Sequence, residues 1–401
     1  MQFKLLNIHK FVGNFATSLV GTFIPLMIYN VTGSLRLAVL FLFGQCLCRL
    51  ISNHLFRKFV NKYPQTALMV RIIPLLIYNI ALIFLEDFMV VGLIVVIISY
   101  GISLSLKNNA YGVLLNYSSK KKTSKNIVLT RIVESLSAIV ACVAGGLFID
   151  WNQTALIIFS LSLYLISVIP LFIYFIINRK KVGFNKDFTS NAAVEYDKDP
   201  ELKQKRKSIV KTFIIQYCIF YAIFCVIDPF TNMYTLHNFI DKPTFAQAGY
   251  LTAMFYVAHL AGVLLVDLLK KKFDLRITNT VFGVVCAVPL VIIPFIQNYV
   301  SIYALIFVFG LSYSVCSYFM MDSLMTKCKI ISATNKALVA RQDGIMIGQM
   351  VADLVVIIFG QVLPVFFVMF ASLIVYAIYT HIVEEKLRKK LVDYLENNEI
   401  E

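Results

Sequence analysis

Residues 154–178 read TALIIFSLSLYLISVIPLFIYFIIN, a run without one charged side chain, and it ends on Arg179, Lys180 and Lys181. As a helix, such a run covers the roughly 30 Å of a bilayer's hydrocarbon core, more than a soluble core helix needs. In lipid each backbone N–H and C=O must find its partner inside its own segment, so the run is read as a helix and not as a core strand. Working outward, comparable runs fall at about 6–30, 36–56, 66–85, 88–113 and 127–149 before it. After it they recur at about 209–236, 245–269, 277–297, 299–325, 338–360 and 362–383. The chain of 401 residues is 59% hydrophobic and only 15% charged, with a mean hydropathy of +0.78. A soluble domain of that length carries far more surface charge. The reading is an all-α integral membrane protein with twelve transmembrane helices.

Charge then orients the spans. Arg57 and Lys58, Lys120 to Lys122, Lys203 to Lys207, Lys270 to Lys272, and Lys327 with Lys329 follow spans 2, 4, 6, 8 and 10. The opposite loops add little beyond Arg36 and Lys242. Basic residues are retained on the cytoplasmic side, which puts both termini there in the cell membrane and requires an even number of spans. The net charge of +15 is accounted for in this way, without nucleic acid. The eight cysteines show no CxxC spacing and are read as packing residues, so neither metal nor cofactor is expected.

The long polar stretch 179–208 divides the chain into a six-helix bundle (1–178), a cytoplasmic linker (179–208), a second bundle (209–384) and a cytoplasmic tail (385–401). The halves echo one another. Pro25 answers Pro229, Ser99-Tyr100-Gly101 answers Ser312-Tyr313-Ser314, and Arg131 answers Arg341, all at nearly constant separation. Repeats of this kind let one bundle rock against the other around a site near the bilayer midplane.

With six plus six spans, cytoplasmic termini and basic loops after spans 2 and 8, the whole chain resembles the major facilitator superfamily. Its local signatures are degenerate. Only the basic end of the loop 2–3 motif survives, at Arg57-Lys58, whereas the second copy keeps the acid at Asp267 ahead of Lys270 to Lys272. Ala141-Cys142-Val143-Ala144-Gly145-Gly146 keeps the small residues of the span 5 antiporter signature and loses its proline. The resemblance implies alternating access, a cavity lined by spans 1, 4, 7 and 10, and contacts of span 2 with 11 and of span 5 with 8. It implies a secondary active transporter, a monomer, for a small solute, with proton-coupled efflux as one form. A lipid flippase on the same fold and a membrane-embedded transferase are the alternatives. No HExxH, Walker A, GxSxG or paired-carboxylate motif supports an enzyme.

Polar stripes mark the candidate substrate site. Span 1 carries Asn14, Thr17, Ser18 and Gly21 at helical spacing, on one face. Span 4 adds Tyr100 and Ser103, span 7 adds Tyr217, Tyr221 and Asp228, and span 10 adds Tyr313, Ser314 and Ser317. Any one small hydroxyl residue more often serves close helix packing; the span 1 stripe taken whole reads as cavity lining. Hydroxyls, amides and tyrosine rings suit an uncharged or amphipathic solute. Spans 1, 4, 7 and 10 contain no arginine, which argues against phosphorylated solutes.

Charged residues inside the membrane are costly and mark coupling or gating. Asp353, Asp228 and His259 are the proton-coupling candidates, since such groups can take up and release a proton between access states. Asp228 is placed near the outer end of span 7. Arg49 and Asp353 are expected to pair across the bundle interface in one access state, and Lys107 with Glu134 as a structural salt bridge. Arg131 and Arg341 read as helix anchors or gate contacts near the inner surface. A reporter fused after Glu401 is expected on the cytoplasmic side, and its appearance outside the cell would remove the even span count.

Overall fold

A computed structural model of the chain describes residues 2–118, 123–178, 200–241, 244–269, 275–296, 298–330 and 334–396. All regular structure among them is helical. Twelve helices are long and apolar enough to cross a membrane: spans 1 to 6 at Leu5–Thr32, Leu35–Leu55, Pro64–Ile83, Met89–Leu114, Leu129–Trp151 and Gln153–Ile177. Spans 7 to 12 follow at Lys207–Ile240, Phe245–Val266, Ile277–Phe295, Tyr299–Leu324, Lys336–Phe359 and Leu363–Leu387. Their outward faces expose Ile, Val, Leu and Phe, as a surface bathed in lipid tails requires.

Two boundaries move. The helix of span 7 starts at Pro200, inside the stretch read as linker, and that of span 12 continues to Glu396, through most of the expected tail. The rest of the linker, 179–199, lies outside the described residues.

Span 1 is interrupted between Gly21 and Ile24, and span 7 between Phe224 and Phe230. Proline has no N–H for the turn before it and its ring crowds the carbonyl four residues back, so a new helical segment starts there. Pro25 occupies that first-turn position in span 1, and Pro229 precedes the second segment of span 7. The matching breaks are the strongest structural sign of the repeat. Span 3 also turns, at Arg71.

Within the first bundle, span 1 packs on spans 5 and 6, and span 4 on spans 2 and 3. Within the second, span 7 packs on 11 and 12, span 10 on 8 and 9, and span 9 on 12. The bundles meet along two seams, span 2 with span 11 and span 5 with span 8.

The end of the molecule away from the termini is shut. A Cβ on Gly146 would lie 2.6 Å from the Phe245 carbonyl oxygen, and one on Gly249 would strike the Cys142 carbonyl. Only glycine lets the backbones of spans 5 and 8 come so close. Asp150, ending span 5, accepts hydrogen bonds from the first amides of span 8, Phe245 N at 3.3 Å and Ala246 N at 3.1 Å. The carboxylate thereby caps a helix of the other bundle and sits at its positive end. Phe23 and Phe239 close on Phe245 edge to face, with ring centres 6.2 and 4.9 Å apart, and Tyr29 meets Phe239 at 6.2 Å.

Gly146→Leu forces side-chain atoms into this seal and is expected to destabilise the shut end by about 1–3 kcal/mol. A cysteine at Ser18, on an otherwise cysteine-free background, should then react at least about fivefold faster with an impermeant maleimide from the side away from the termini. An unchanged rate would mean that the seal does not depend on the glycines.

Candidate functional site

Between the bundles lies a cavity of about 470 Å³ with adjoining lobes of about 280 and 330 Å³. It reaches Arg57, Asn61 and Leu338 at the end of the molecule that carries the termini. Lys107, Asp228, Tyr256 and Gln349 border all three lobes and mark the centre.

The span 1 stripe faces this space. Thr17, Ser18 and Gly21 line one lobe and Asn14 another, where the Asn14 amide oxygen has no partner. Thr17 also bonds back to the Gly13 carbonyl at 2.9 Å, which ties down its hydroxyl. Tyr100, Tyr221, Tyr313 and Ser317 complete the predicted lining. Three predicted residues are held inside one bundle instead. Ser103 accepts from Arg71 Nε at 3.0 Å, Tyr217 meets the Ser323 hydroxyl at 3.1 Å, and Ser314 donates to the His259 carbonyl at 2.8 Å. All three are nearly fully buried, so a solute does not reach them in this conformation.

Asp228 is not at the outer end of span 7. It sits at the break in that span, level with the middles of spans 10 and 11. Tyr313 donates to its Oδ1 at 2.7 Å and the Gln349 amide to its Oδ2 at 3.2 Å. The Gln349 carbonyl oxygen in turn accepts from Cys46 Sγ at 3.2 Å. One hydrogen-bonded chain thus runs from span 10 through spans 7 and 11 to span 2 of the other bundle.

The remaining charges are arranged differently from the expected pairs. Glu134 is held by Lys10 at 2.7 Å and by Arg131 at 3.6 Å, while Lys107 has no carboxylate within 4 Å among the described residues. Span 1 packs directly on span 5, and this brings Lys10 to the acid first. Arg49 and Asp353 border the same lobe without forming an ion pair in this conformation. Asp353 is 1% exposed, and its Oδ1 has no hydrogen-bond partner. His259 bonds Ser135 across the seam of spans 5 and 8 at 3.0 Å. Arg341 lies with its guanidinium 5.2 Å above the Tyr221 ring, so it belongs to the cavity wall as much as to a helix end. Asp267 falls on the helix of span 8, and its side chain lies outside the described residues. A second contact between spans 2 and 11, His54 to Asp343 at 3.2 Å, sits nearer the terminus end.

Several functional groups escaped the sequence reading. Lys10 extends the stripe of Asn14 and Ser18 by one helical turn, a signal legible in the spacing. Gln349, an amide in mid-span, was likewise visible. Nothing in the sequence marked Tyr256. Arg71 is 1% exposed, bonded to Ser103 and Tyr164 and stacked 4.9 Å over the Tyr164 ring, a role set by packing alone. Arginine is also plentiful around the cavity, from spans 2, 5 and 11, so its absence from spans 1, 4, 7 and 10 carries no weight against anionic solutes.

The family model described as Major Facilitator Superfamily matches residues 108–335. Among solved structures, a bacterial homologue of the iron transporter ferroportin, in an outward-facing state with soaked iron, aligns at TM-score 0.67 and 11% identity, covering 94% of this chain and 98% of its own. The nucleoside transporter NupG aligns at 0.65 and 15%, covering 95% and 98%. The E. coli fucose:proton symporter FucP aligns at 0.56 and 13%, covering 94% and 97%. No curated protein matches the sequence.

Lys10→Met strands the Glu134 charge with Arg131 alone and is expected to lower the melting temperature of the purified protein. The double variant with Glu134→Gln should recover part of the loss, for a coupling on the order of 0.5–3 kcal/mol. Strictly additive effects would show that the pair is not coupled.

Proposed function

The chain belongs to the major facilitator superfamily, and on that premise we propose that it is a secondary active transporter, with its termini in the cytoplasm, that carries a small solute across the cell membrane and couples this movement to protons through Asp228. The observation that carries the reading is the hydrogen-bonded chain Tyr313–Asp228–Gln349–Cys46, because it joins a carboxylate at mid-depth to the seam between the bundles.

The chemistry follows from what each group can donate. An ionised Asp228 accepts from two neutral donors, Tyr313 O–H and Gln349 N–H, which leaves the Gln349 carbonyl free to accept from Cys46. A protonated Asp228 becomes a donor itself. When the proton sits on Oδ2, Gln349 turns its carbonyl oxygen toward Asp228 to receive it, and its amide then faces the Cys46 sulfur, a poor acceptor. The contact between bundles is lost in the same step. Protonation at the cavity centre therefore loosens the seam of spans 2 and 11, and deprotonation remakes it. Coupling requires this kind of link, in which the proton binds the two states unequally.

The solutes of the structural neighbours are iron, nucleosides and fucose, so the fold does not select among them. Support for a divalent cation is thin, since no three His, Cys, Asp or Glu side chains converge among the described residues. A lipid flippase finds less support than a carrier of polar solutes, because the cavity centre is set by Lys107, Asp228 and Gln349. The family match and the transporters among the structural neighbours weigh against a transferase.

Proteoliposomes loaded with a pH-sensitive dye provide the test, challenged in turn with sugars, nucleosides, amino acids and carboxylates. Solute entry is expected to move protons in the wild type. Asp228→Asn should cut solute-driven proton movement by about tenfold or more while solute exchange without a gradient persists. Proton movement that survives Asp228→Asn at full size would remove Asp228 from the coupling role.

A further inference from the structure

The charges around the cavity do not balance. Lys10, Arg49, Arg57, Lys107, Arg131 and Arg341 line the main chamber, against the carboxylates Glu134 and Asp228 alone. Glu134 is already occupied by Lys10 and Arg131. Asp228 accepts from Tyr313 and Gln349, and no basic nitrogen lies within 4 Å of it among the described residues. Among the described residues Arg49, Lys107 and Arg341 are therefore left without an ion-pair partner, approaching the chamber from spans 2, 4 and 11, as is Arg57 at its mouth.

We infer, resting on the carrier reading above, that the transported solute is a small organic anion, held through its carboxylate or phosphate groups by Lys107 and Arg341 with Arg49 beside them. Three like charges facing one cavity inside a membrane repel each other through a medium that screens weakly, and an anion entering between them relieves that repulsion. Lys107 is the centre of the set, because it borders all three lobes. Arg341 supplies direction. Its Nε is buried without a hydrogen-bond partner, and the guanidinium carbon lies 5.2 Å over the Tyr221 ring. A guanidinium fork held in that way offers paired donors to a carboxylate or phosphate. The walls between the charges are Tyr100, Tyr221, Tyr256 and Tyr313, which present ring faces and hydroxyls to the body of the solute.

The arrangement also assigns Glu134. By holding Lys10 and Arg131 it keeps two of the six cations out of the binding set, so the chamber presents Arg49, Lys107 and Arg341 at its centre and Arg57 at its mouth, four free positive charges where it would otherwise present six. An anion of one or two charges then binds strongly enough to enter and weakly enough to leave.

Matched pairs of probes test the charge directly: succinate against succinamide, benzoate against benzamide, and glucose 6-phosphate against glucose, at constant ionic strength. The purified protein is melted with each at up to about 10 mM, above the roughly 1 mM upper end of usual enzyme KM values. At least one anion is expected to raise the melting temperature where its neutral twin does not, and the successful pair separates carboxylate from phosphate recognition. Lys107→Gln and Arg341→Gln should each weaken that anion about tenfold or more, and Lys107→Arg should retain it. Retention by Lys107→Arg guards against reading a folding defect as a binding defect. Neutral twins that stabilise equally, no stabilisation by any anion, or anion binding unchanged in both glutamine variants overturns the inference. Exchange of the same compounds in proteoliposomes separates the two readings. Exchange of a neutral solute that Lys107→Gln leaves unaltered sinks the anion and keeps the carrier, whereas saturable anion binding without any exchange keeps the anion site and sinks the carrier.

Discussion

The architecture depends on the backbone-to-backbone contact of spans 5 and 8 at the end away from the termini. Gly146 and Gly249 let two helices of different bundles meet at carbonyl distance, with no side chain between them. In a bilayer the hydrophobic effect does not press helices together, so such contacts depend on packing and on hydrogen bonds shielded from water. Here both are present, because Asp150 caps span 8 at the same place and Phe23, Phe239 and Phe245 fill the remaining space. Two stiff bundles hinged at that end splay at the other. The cavity and its opening toward the termini are consequences of this seal.

A second constraint acts inside the opened space. Charges withdrawn from water need partners, and the protein supplies them unevenly. Glu134 receives two cations, Asp228 receives only neutral donors, and Asp353 is left with an unpartnered oxygen. The unevenness is informative. A structure built only for stability would place Lys107 or Arg341 against Asp228. Keeping the carboxylate among neutral donors leaves it free to change protonation state, and keeping the cations unpaired leaves them free for something that enters from outside.

The two proposed roles are physically linked. Asp228 and Lys107 border the same three lobes, so an anion beside Lys107 alters the electrostatic potential at Asp228 without touching it. Through Gln349 and Cys46 that change reaches the seam of spans 2 and 11, where His54 and Asp343 add a further contact. Solute, proton and bundle interface can therefore share one free-energy balance, the general requirement for coupled transport.

Much of this was written in the linear chain. Hydrophobic length decided that there are spans, and the uneven distribution of lysine and arginine decided which loops lie together, because both act residue by residue against a solvent of known thickness and charge. The repeat was legible through Pro25 and Pro229, and the face of span 1 through helical spacing, since both are local. The seams of span 2 with 11 and span 5 with 8 followed from the resemblance; what failed was the pairing of individual buried side chains. Glu134 found Lys10 and not Lys107 because span 1 packs against span 5, and no periodicity contains that fact. Asp228 moved from a helix end to the cavity centre because span 7 breaks beside it and continues as a second segment to Asp241. Ser103, Tyr217 and Ser314 share the chemistry of the lining residues but turn into their own bundles. A sequence specifies the balance of each segment with lipid and water, which is a local sum; the pairing of buried charges depends on distances between segments, and only the packed structure sets those.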